Sequence, residues 1–398
     1  MTNPFAIVCE NVGSSLARRG TLSMPNRKTI ETPAILIYTN AGAVPHLTRD
    51  IVQSMLGYEN LALNISLGHF IKFPGTYGLK KMEQNIQEFA GLNEFPTYLS
   101  VQDSLNPMPH HFNDKSTVSV WDSAGRRRIE VQDYELFVKQ AAPDLFECLG
   151  DTLQSSVSNK RADKSINRSV QHLDNLIGLF GEDSNRKLFA SLEGGDLIDK
   201  RVSMARTVSQ RPVAGFAVNG IREDSYSDDV ALLTNLLKRV YGELPVDKPR
   251  LLHSVGSPRM ILEAIANGTD LLDGSYLTKL KYKNIALNIP FEIYHHQEAT
   301  EHSQINSIMI NISNVEFKEY LQPISSQCPC YTCSKYTCAY LHHLLITKEM
   351  LLPTLLMIHN INQYQRFFSE IREQITKQTF DNYKKKIDNL CKSNPVTI

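Results

Sequence analysis

The sequence predicts an α/β protein built on a (β/α)8 TIM barrel that carries an inserted β-hairpin and a C-terminal zinc-binding subdomain. Eight short apolar runs alternate with segments of helical periodicity, which is typical of parallel strands joined by helices. Two short runs of alternating apolar and polar residues interrupt this β/α pattern. A cysteine-rich turn follows the C-terminal end of the pattern. A chain of 398 residues is long enough for such a barrel and an appendage.

The barrel strands are predicted where short apolar runs are bounded by turn residues. They are residues 34–38, 61–65, 97–101, 144–149, 187–192, 215–218, 250–255 and 270–273. The helical spacing of apolar residues predicts helices at 47–56, 134–142, 165–180, 228–240 and 260–267. This alternation assigns residues 1–280 to the barrel.

The alternation is broken twice. Residues 102–132 contain two alternating runs, 118–121 and 128–131, around a turn, and they predict a β-hairpin inserted after the third strand. The second break begins at residue 281 and leads to a group of cysteines. We therefore expect residues 281–398 to form a zinc-binding subdomain whose C-terminal helices pack on the barrel.

Composition excludes several classes of protein. With 42% hydrophobic and 21% charged residues and no low-complexity tract, the chain is typical of a globular protein. Its formal net charge is zero, so contact with a nucleic acid has to come from a local basic patch. Seven cysteines without a disulfide pattern favour a reducing compartment. The first residues lack the features of a secretory signal, and no run of about 20 apolar residues predicts a membrane span.

Three cysteines and a distant histidine have the spacing of a metal site. Cys328, Cys330 and Cys333 lie on one turn, and His359 follows after 25 intervening residues in an apolar helical run. Three thiolates and one imidazole complete the tetrahedral shell that structural zinc prefers, and they leave no position for a catalytic water. Ordinary buried cysteines are the alternative. Cys338 falls inside the next predicted helix and outside the ligand set, so we expect one structural Zn²⁺.

The cysteine-rich stretch also resembles a known family. The segment CPCYTCSKYTCAYLHHLL, followed by LLMIHNINQY, is similar to the zinc subdomain of tRNA-guanine transglycosylases, which exchange a guanine base in tRNA for a deazaguanine. Other similar segments occur in family order: TPAILIYTNAGAVPHLT, LNISLGHFIKFPG, LFASLEGG, GFAVNGI and LPVDKPRLLHSVGSPRMILEAIANGTDLLD. The resemblance runs from about residue 20 to about residue 375 and implies the barrel fold of the family.

The family's catalytic residues are only partly matched. Base exchange needs a carboxylate that attacks the anomeric carbon, a second acid or base, and a pocket that reads the base. The family nucleophile matches Asp273 at the end of the eighth predicted strand. The family motif T-D-S-G-G-F-Q is replaced by LSVQDSL, in which Asp103 is out of register. The base-reading aspartate falls on Gly150, one residue before Asp151.

The resemblance therefore implies a degenerate paralogue without catalytic residues of its own. The Gly194-Gly195 turn matches the family, but the glutamine before it has become Glu193. A missing proton-transfer group typically costs about 10²–10⁴-fold in rate. The first alternative is an active tRNA-guanine transglycosylase that uses Asp273 as nucleophile and Asp103 as acid or base. The second is a binding protein that retains queuine or tRNA without turnover.

The resemblance also implies partners. Eukaryotic members of the family form a heterodimer of one catalytic and one degenerate subunit, joined through the zinc subdomain. The heterodimer replaces guanine by queuine at the wobble position of tRNAs with GUN anticodons (Asp, Asn, His and Tyr). As the non-catalytic subunit, the chain is expected to support assembly and tRNA docking. Its expected location is the cytoplasm, with the surface of the mitochondrial outer membrane as an alternative.

Three basic clusters are candidates for tRNA contact, and a solvated surface is the alternative for each. They are Lys279, Lys281 and Lys283 after the last strand, Arg126 to Arg128 in the hairpin, and Lys384 to Lys386 near the C-terminus. Tyr282 lies between two of the lysines and could stack on a base. The third cluster ends a helical tail in which Pro353 predicts a kink.

Overall fold

A three-stranded antiparallel sheet precedes the barrel. The computed structural model describes residues 4–11, 13–56, 60–106, 112–153, 157–221, 226, 230–291 and 307–393. The sheet consists of β1 (Phe5–Glu10), β2 (Arg18–Leu22) and β3 (Ile30–Thr32), paired in that order. Its side chains Phe5 and Leu22 pack against Leu36 and Phe189 of the barrel interior, so the sheet closes one end of the barrel. The sequence pattern does not predict this sheet, because the polar residues of β2 hide its apolar alternation.

Eight parallel strands form a closed barrel, which confirms the predicted fold. The strands are β4 (Ala34–Tyr38), β5 (Ala62–Ser66) and β6 (Thr97–Ser100), then the hairpin strands β7 (Thr117–Asp122) and β8 (Gly125–Glu130), then the barrel strands β9 (Leu145–Glu147), β10 (Leu188–Leu192), β11 (Gly215–Val218), β12 (Arg250–Leu252) and β13 (Leu271–Asp273). Leu272 of β13 lies opposite Ile35 of β4, and this pairing leaves no edge strand. β9 and β12 end before the predicted positions because the apolar run continues into a buried loop.

The helices of the barrel connect its strands. They are α1 (Arg49–Ile51), α2 (Gly75–Met82), α3 (Ile86–Ala90), α4 (Val131–Ala141), α5 (Asn159–Phe180), α6 (Ser184–Lys187), α7 (Ile198–Val208), α8 (Val230–Tyr241), α9 (Pro258–Ala266) and α10 (Ser275–Tyr282). Four of the five predicted helices are confirmed as α4, α5, α8 and α9. The helix predicted at 47–56 is one short turn, α1, followed by a π-helix at Val52–Leu56. α1 buries no residue, so no apolar stripe supports a longer α-helix there.

The C-terminal part begins with a two-stranded antiparallel sheet. Its strands are β14 (Ile285–Leu287) and β15 (Met309–Asn311), and its helices are α11 (Tyr331–Lys335), α12 (Cys338–Ile346), α13 (Leu351–Thr376) and α14 (Phe380–Ser393). Pro353 lies in the first turn of α13, where the missing N–H has no partner to lose, so it marks the start of a helix and not a kink within one. None of the described helices is both long and apolar enough to cross a bilayer.

The barrel interior changes from apolar to polar along its axis. Leu36, Leu145 and Leu251 pack with the N-terminal sheet at the amino ends of the strands. At the carboxyl ends, buried polar side chains such as Glu147 and Asp273 replace them. Active sites of such barrels form at the carboxyl ends. This polar layer therefore contains the position where catalytic residues of such a barrel are expected.

Candidate functional site

The structure brings three cysteines and one histidine together. The Nδ1 atom of His359 lies 3.8 Å from Cys328 Sγ, 3.4 Å from Cys330 Sγ and 3.3 Å from Cys333 Sγ. The four ligand atoms lie within 4.8 Å of one another, and all four side chains are buried. Tetrahedral zinc, with Zn–S of about 2.3 Å and Zn–N of about 2.0 Å, requires separations of this size. The cluster could therefore hold a metal ion, and zinc is consistent with its donors.

The surrounding fold orients the cluster from two sides. Cys330 is the N-cap of α11, and its sulfur accepts a hydrogen bond of 3.4 Å from the Cys333 N–H. His359 lies on α13, and its Nε2 is 2.6 Å from the carbonyl oxygen of Leu287 on β14. Donation from Nε2–H leaves Nδ1 unprotonated and directed at the sulfurs, which is the tautomer that a metal ligand needs. Cys338 is also buried but stands outside the cluster, at the start of α12.

Asp273 lies at the end of β13, where the family nucleophile is expected, but its carboxylate is already engaged. One oxygen accepts a hydrogen bond from the N–H of Ser275, and the other accepts one from the N–H of Ser254. The imidazole of His253 lies 3.8 Å from the second oxygen. Burial raises the pKa of Asp273, but these partners outweigh burial and bring the pKa down to about 2. Asp273 is 1% exposed, so a ribose has no access to its carboxylate in this arrangement.

His253 links Asp273 to a second buried carboxylate. Its Nε2 lies 3.6 Å from an oxygen of Glu147 at the end of β9. Glu147 also accepts hydrogen bonds from Asn219 Nδ2 and from the N–H of Val101. The sequence analysis did not identify His253 or Glu147. Both are ionisable residues at the ends of apolar strands, and that position was the available signal.

Asp103 lies in the loop after β6 and is held as a carboxylate. It accepts hydrogen bonds from Tyr38 OH at 3.2 Å, from Asn106 Nδ2 at 2.9 Å and from the N–H of Leu105 at 2.9 Å, and His69 Nε2 lies 3.5 Å away. Burial raises its pKa, but the bonds from His69, Asn106 and Leu105 lower it below the ordinary 3.8. A carboxyl group that acts as a general acid at neutral pH needs a pKa raised above its ordinary value.

Asp151 follows β9 and is locked between two arginines of α5. Arg161 donates two hydrogen bonds of 2.8 Å to its carboxylate, Arg168 donates one of 2.9 Å, and Asn113 adds a fourth. Burial raises the pKa of Asp151, yet these donors keep it below the ordinary value. Breaking such a buried pair costs about 3–5 kcal/mol, so this carboxylate serves the fold and does not face a substrate.

Glu193 fills the space above the ends of β9 and β10. Its Oε1 accepts hydrogen bonds from Ser191 Oγ at 2.6 Å and Thr152 Oγ1 at 2.9 Å. A Cβ on Gly150 would lie 2.4 Å from this oxygen, so the glycine at the family's base-reading position makes room for Glu193. Burial raises the pKa of Glu193. Glu193 therefore takes up the space that a side chain at position 150 would need.

The Gly194-Gly195 turn is retained because a buried arginine lies against it. Arg201 is fully buried and donates to the carbonyl oxygens of Gly195 at 2.6 Å, Leu192 at 3.1 Å and Asn219 at 2.7 Å. A Cβ on Gly194 would come within 2.8 Å of the Arg201 side chain. The turn therefore has a packing role that does not require a ligand.

An open cleft lies beside the polar layer. It has a volume of about 600 Å³ and is lined by the loops after β4, β5 and β6 and by the hairpin. Asp103 contributes to its wall, together with Phe70, Phe73 and Trp121. Asp273, in contrast, is enclosed by its own hydrogen bonds. The two residues that the active alternative requires thus stand in different surroundings.

Comparison with known proteins decides the family. The sequence model described as queuine tRNA-ribosyltransferase matches residues 12–392. The chain belongs to this family. A "Queuine tRNA-ribosyltransferase accessory subunit 2" of Xenopus laevis is 33% identical over 90% of this chain and 93% of its own length. Proteins of the same name from Homo sapiens and Gallus gallus are 31% and 29% identical, and they cover 91% and 96% of this chain and 94% and 96% of their own lengths.

In this queuine tRNA-ribosyltransferase homologue, several of the basic residues that are candidates for tRNA contact already make contacts within the chain. Lys281 is buried with its Nζ 3.2 Å from the centre of the Tyr282 ring, and burial lowers its pKa to about 8. Lys384 pairs with Glu263 at 2.7 Å. In the hairpin, Arg127 pairs with Asp122, and Arg126 bonds to Ser119 Oγ and Phe112 O. Exposed members of the three clusters are Arg126, Arg128, Lys283, Lys385 and Lys386.

The buried network predicts a pH dependence of stability. Burial lowers the pKa of His253, but Glu147 and Asp273 raise it above the ordinary 6.5. The stabilisation from His253 is therefore complete below about pH 6.5 and is lost as the pH rises toward the folded pKa, with about 1.4 kcal/mol for each pH unit between the two values.

We expect the free energy of unfolding of the wild type to fall as the pH rises above 6.5, and to fall less in His253→Gln. Urea unfolding of both proteins at several pH values measures the difference. Equal slopes in the two proteins would contradict a charged His253.

Proposed function

We propose that the chain is the non-catalytic subunit of a heterodimeric queuine tRNA-ribosyltransferase, whose complex exchanges guanine for queuine at the wobble position of tRNAs with GUN anticodons. The observation that carries the proposal is the surroundings of Asp273. It stands at the nucleophile position, but it is buried and both oxygens accept backbone hydrogen bonds. The relatives named accessory subunit 2 support the same reading.

Every group that base exchange needs is committed to another partner. A nucleophile has to be within reach of the substrate, and Asp273 is buried with a backbone hydrogen bond on each oxygen. A general acid needs a pKa near the working pH, and the pKa of Asp103 is below its ordinary value. A base-reading carboxylate has to face the pocket, and Asp151 faces Arg161 and Arg168. A subunit in this state contributes a surface and not a reaction.

We assign a structural Zn²⁺ to Cys328, Cys330, Cys333 and His359. Thiolates and imidazole suit zinc, and four protein ligands leave no place for a water. The carbonyl of Leu287 holds the ring of the histidine in the ligating tautomer. Zinc would join the segment before α11 to α13, and such a link stabilises the local fold.

The zinc assignment is tested with two cysteine variants. We expect about one zinc per chain in the wild type, and loss of zinc with a thermal midpoint lowered by at least about 5 °C in Cys333→Ala. Cys338→Ala is the matched control, because Cys338 is equally buried but outside the cluster. Metal analysis and thermal unfolding measure both. Zinc retained in Cys333→Ala, or lost equally in both variants, would remove the assignment.

A row of aromatic side chains lies on the surface beside the cluster. Tyr336 stacks on Tyr340 with ring centroids 5.4 Å apart and planes within 12°. Tyr331 and His343 extend the row at centroid distances of 5.9 and 6.2 Å. Tyr331 is 38% and Tyr340 is 40% exposed, and exposed apolar residues continue the surface: Leu321, Ile346, Met350 and Leu351. Exposed aromatic patches mark protein interfaces, so we assign this aromatic row to the catalytic subunit.

The aromatic row predicts where association can be weakened. We expect Tyr340→Ala to lower the affinity for the catalytic subunit by about ten- to a hundredfold, because a central aromatic side chain of an interface contributes about 1.4–3 kcal/mol. Tyr77→Ala is the matched control, since Tyr77 is 77% exposed on α2 of the barrel. Sedimentation or biosensor titration measures the affinity. Equal losses in both variants would exclude the row as the interface.

The exchange reaction itself separates the proposal from the active alternative. We expect the purified chain alone to incorporate no labelled guanine into a tRNA with a GUN anticodon, and to support exchange when mixed with the catalytic subunit. Asp273→Asn in this chain should leave exchange by the complex within about twofold, because the residue does no chemistry. Exchange by the chain alone that Asp273→Asn abolishes would establish Asp273 as a working nucleophile.

The cytoplasmic location, with the mitochondrial outer membrane as its alternative, stays a prediction from the family resemblance. Cell fractionation with and without high salt tests it, because a peripheral protein leaves a membrane when its charges are screened.

A further inference from the structure

A small cleft lies at the end of the barrel opposite to Asp273. It has a volume of about 270 Å³ and is enclosed by β2, the end of α8 and the start of β12. Arg18 and Arg250 line it, with Tyr241 in its wall and Lys238 and Glu10 at its rim. We refer to it as the arginine cleft. Both arginines are buried, with exposures of 4% and 5%.

Arg18 is the paired arginine of the two. It forms a bidentate pair with Asp270, with N–O distances of 2.8 and 2.7 Å. It also donates to the carbonyl oxygens of Val246 and Lys248. Asp270 accepts a further hydrogen bond of 2.8 Å from the backbone N–H of Arg250. The buried carboxylate of Asp270 is thus already paired with Arg18.

Arg250 is left without a comparable partner. Within the described part of the chain, its guanidinium makes no salt bridge, and its Nε–H finds no acceptor. Its two terminal nitrogens reach only the carbonyl oxygens of Gly268 at 3.5 Å and Tyr241 at 3.4 Å, which are long for hydrogen bonds. The guanidinium lies 4.9 Å from the centre of the Tyr241 ring. The backbone leaves room for it, because a Cβ on Gly268 would lie 2.7 Å from its Nη1.

The charges of the cleft do not balance. Two buried guanidinium groups face one buried carboxylate, so one positive charge remains inside. Burial and the charge of Arg18 lower the pKa of Arg250 to about 10, which still leaves it protonated at neutral pH. A buried charge without a counter-charge is destabilising, and a bound anion removes that cost. Lys238 at the rim would favour an anion, whereas Glu10 would repel a large one.

We propose that the arginine cleft binds a small oxyanion, of the class of inorganic phosphate or a phosphate monoester. The fork of N–H donors on a guanidinium matches the oxygens of such an anion, and the guanidinium of Arg250, which lines the cleft, makes only two long hydrogen bonds that an anion could replace. Its volume of about 270 Å³ holds a phosphate group with a short substituent but no nucleotide chain. The site lies at the amino ends of the strands, so it is separate from the barrel mouth and from the aromatic row.

The proposal is tested by titrating the full chain with sodium phosphate at constant ionic strength, with chloride as the balancing anion. We expect the thermal midpoint to rise in a saturable way, and calorimetry to give about one phosphate per chain. Sulfate should compete with phosphate. In Arg250→Gln the affinity should fall at least tenfold, whereas Arg259→Gln, which removes an arginine of α9 paired with Asp388, should bind as the wild type does.

Three results would overturn the proposal: no response of the wild type beyond chloride, an equal response in Arg250→Gln, or an equal loss in both arginine variants. If Arg250→Gln does not fold, Arg250→Lys takes its place, because it keeps the charge but lacks the planar fork of N–H donors. Binding at least threefold weaker in Arg250→Lys supports the site, and unchanged binding contradicts it. None of these measurements depends on tRNA or on the catalytic subunit.

Discussion

Hydrogen bonds from α13 hold together the cluster of three cysteines and one histidine, the strand β14 and the barrel. His359, Asn360 and Gln363 lie on one side of α13 and bond to the backbone of β14 and the residues after it. Further along, Tyr364 bonds to the carbonyl of Gly256 in the loop after β12. One helix thus supplies a ligand, satisfies the backbone of a short strand and packs on the barrel. A substitution in the cluster is therefore expected to affect the elements that pack on this helix.

The barrel mouth is likewise held by contacts between buried polar groups. A layer of ionisable groups that is open to substrate in an enzyme has to be paired when it is buried, because an unpaired charge is costly. Here His253 lies between Glu147 and Asp273, and Asp151 is held by two arginines. These contacts hold the ionisable groups of the barrel mouth in fixed positions.

The two ends of the barrel differ in this respect. At the mouth, Asp151 and Asp273 each accept at least two hydrogen bonds, and Glu193 accepts bonds from Ser191 and Thr152. At the opposite end, Arg250 is buried beside a cleft without a matching carboxylate. A buried charge without a matching counter-charge points to a ligand, because burying an isolated charge is costly.

The sequence by itself determined the elements whose signals are local: the strands, the hairpin and the spacing of Cys328, Cys330 and Cys333. Apolar runs and ligand spacings are read along the chain, so no tertiary contact is needed to find them. The N-terminal sheet and the bonds that engage Asp273 were decided by the tertiary structure alone. Glu147 lies far from His253 in sequence, and the cost of burying a charge can be judged only when its neighbours are known.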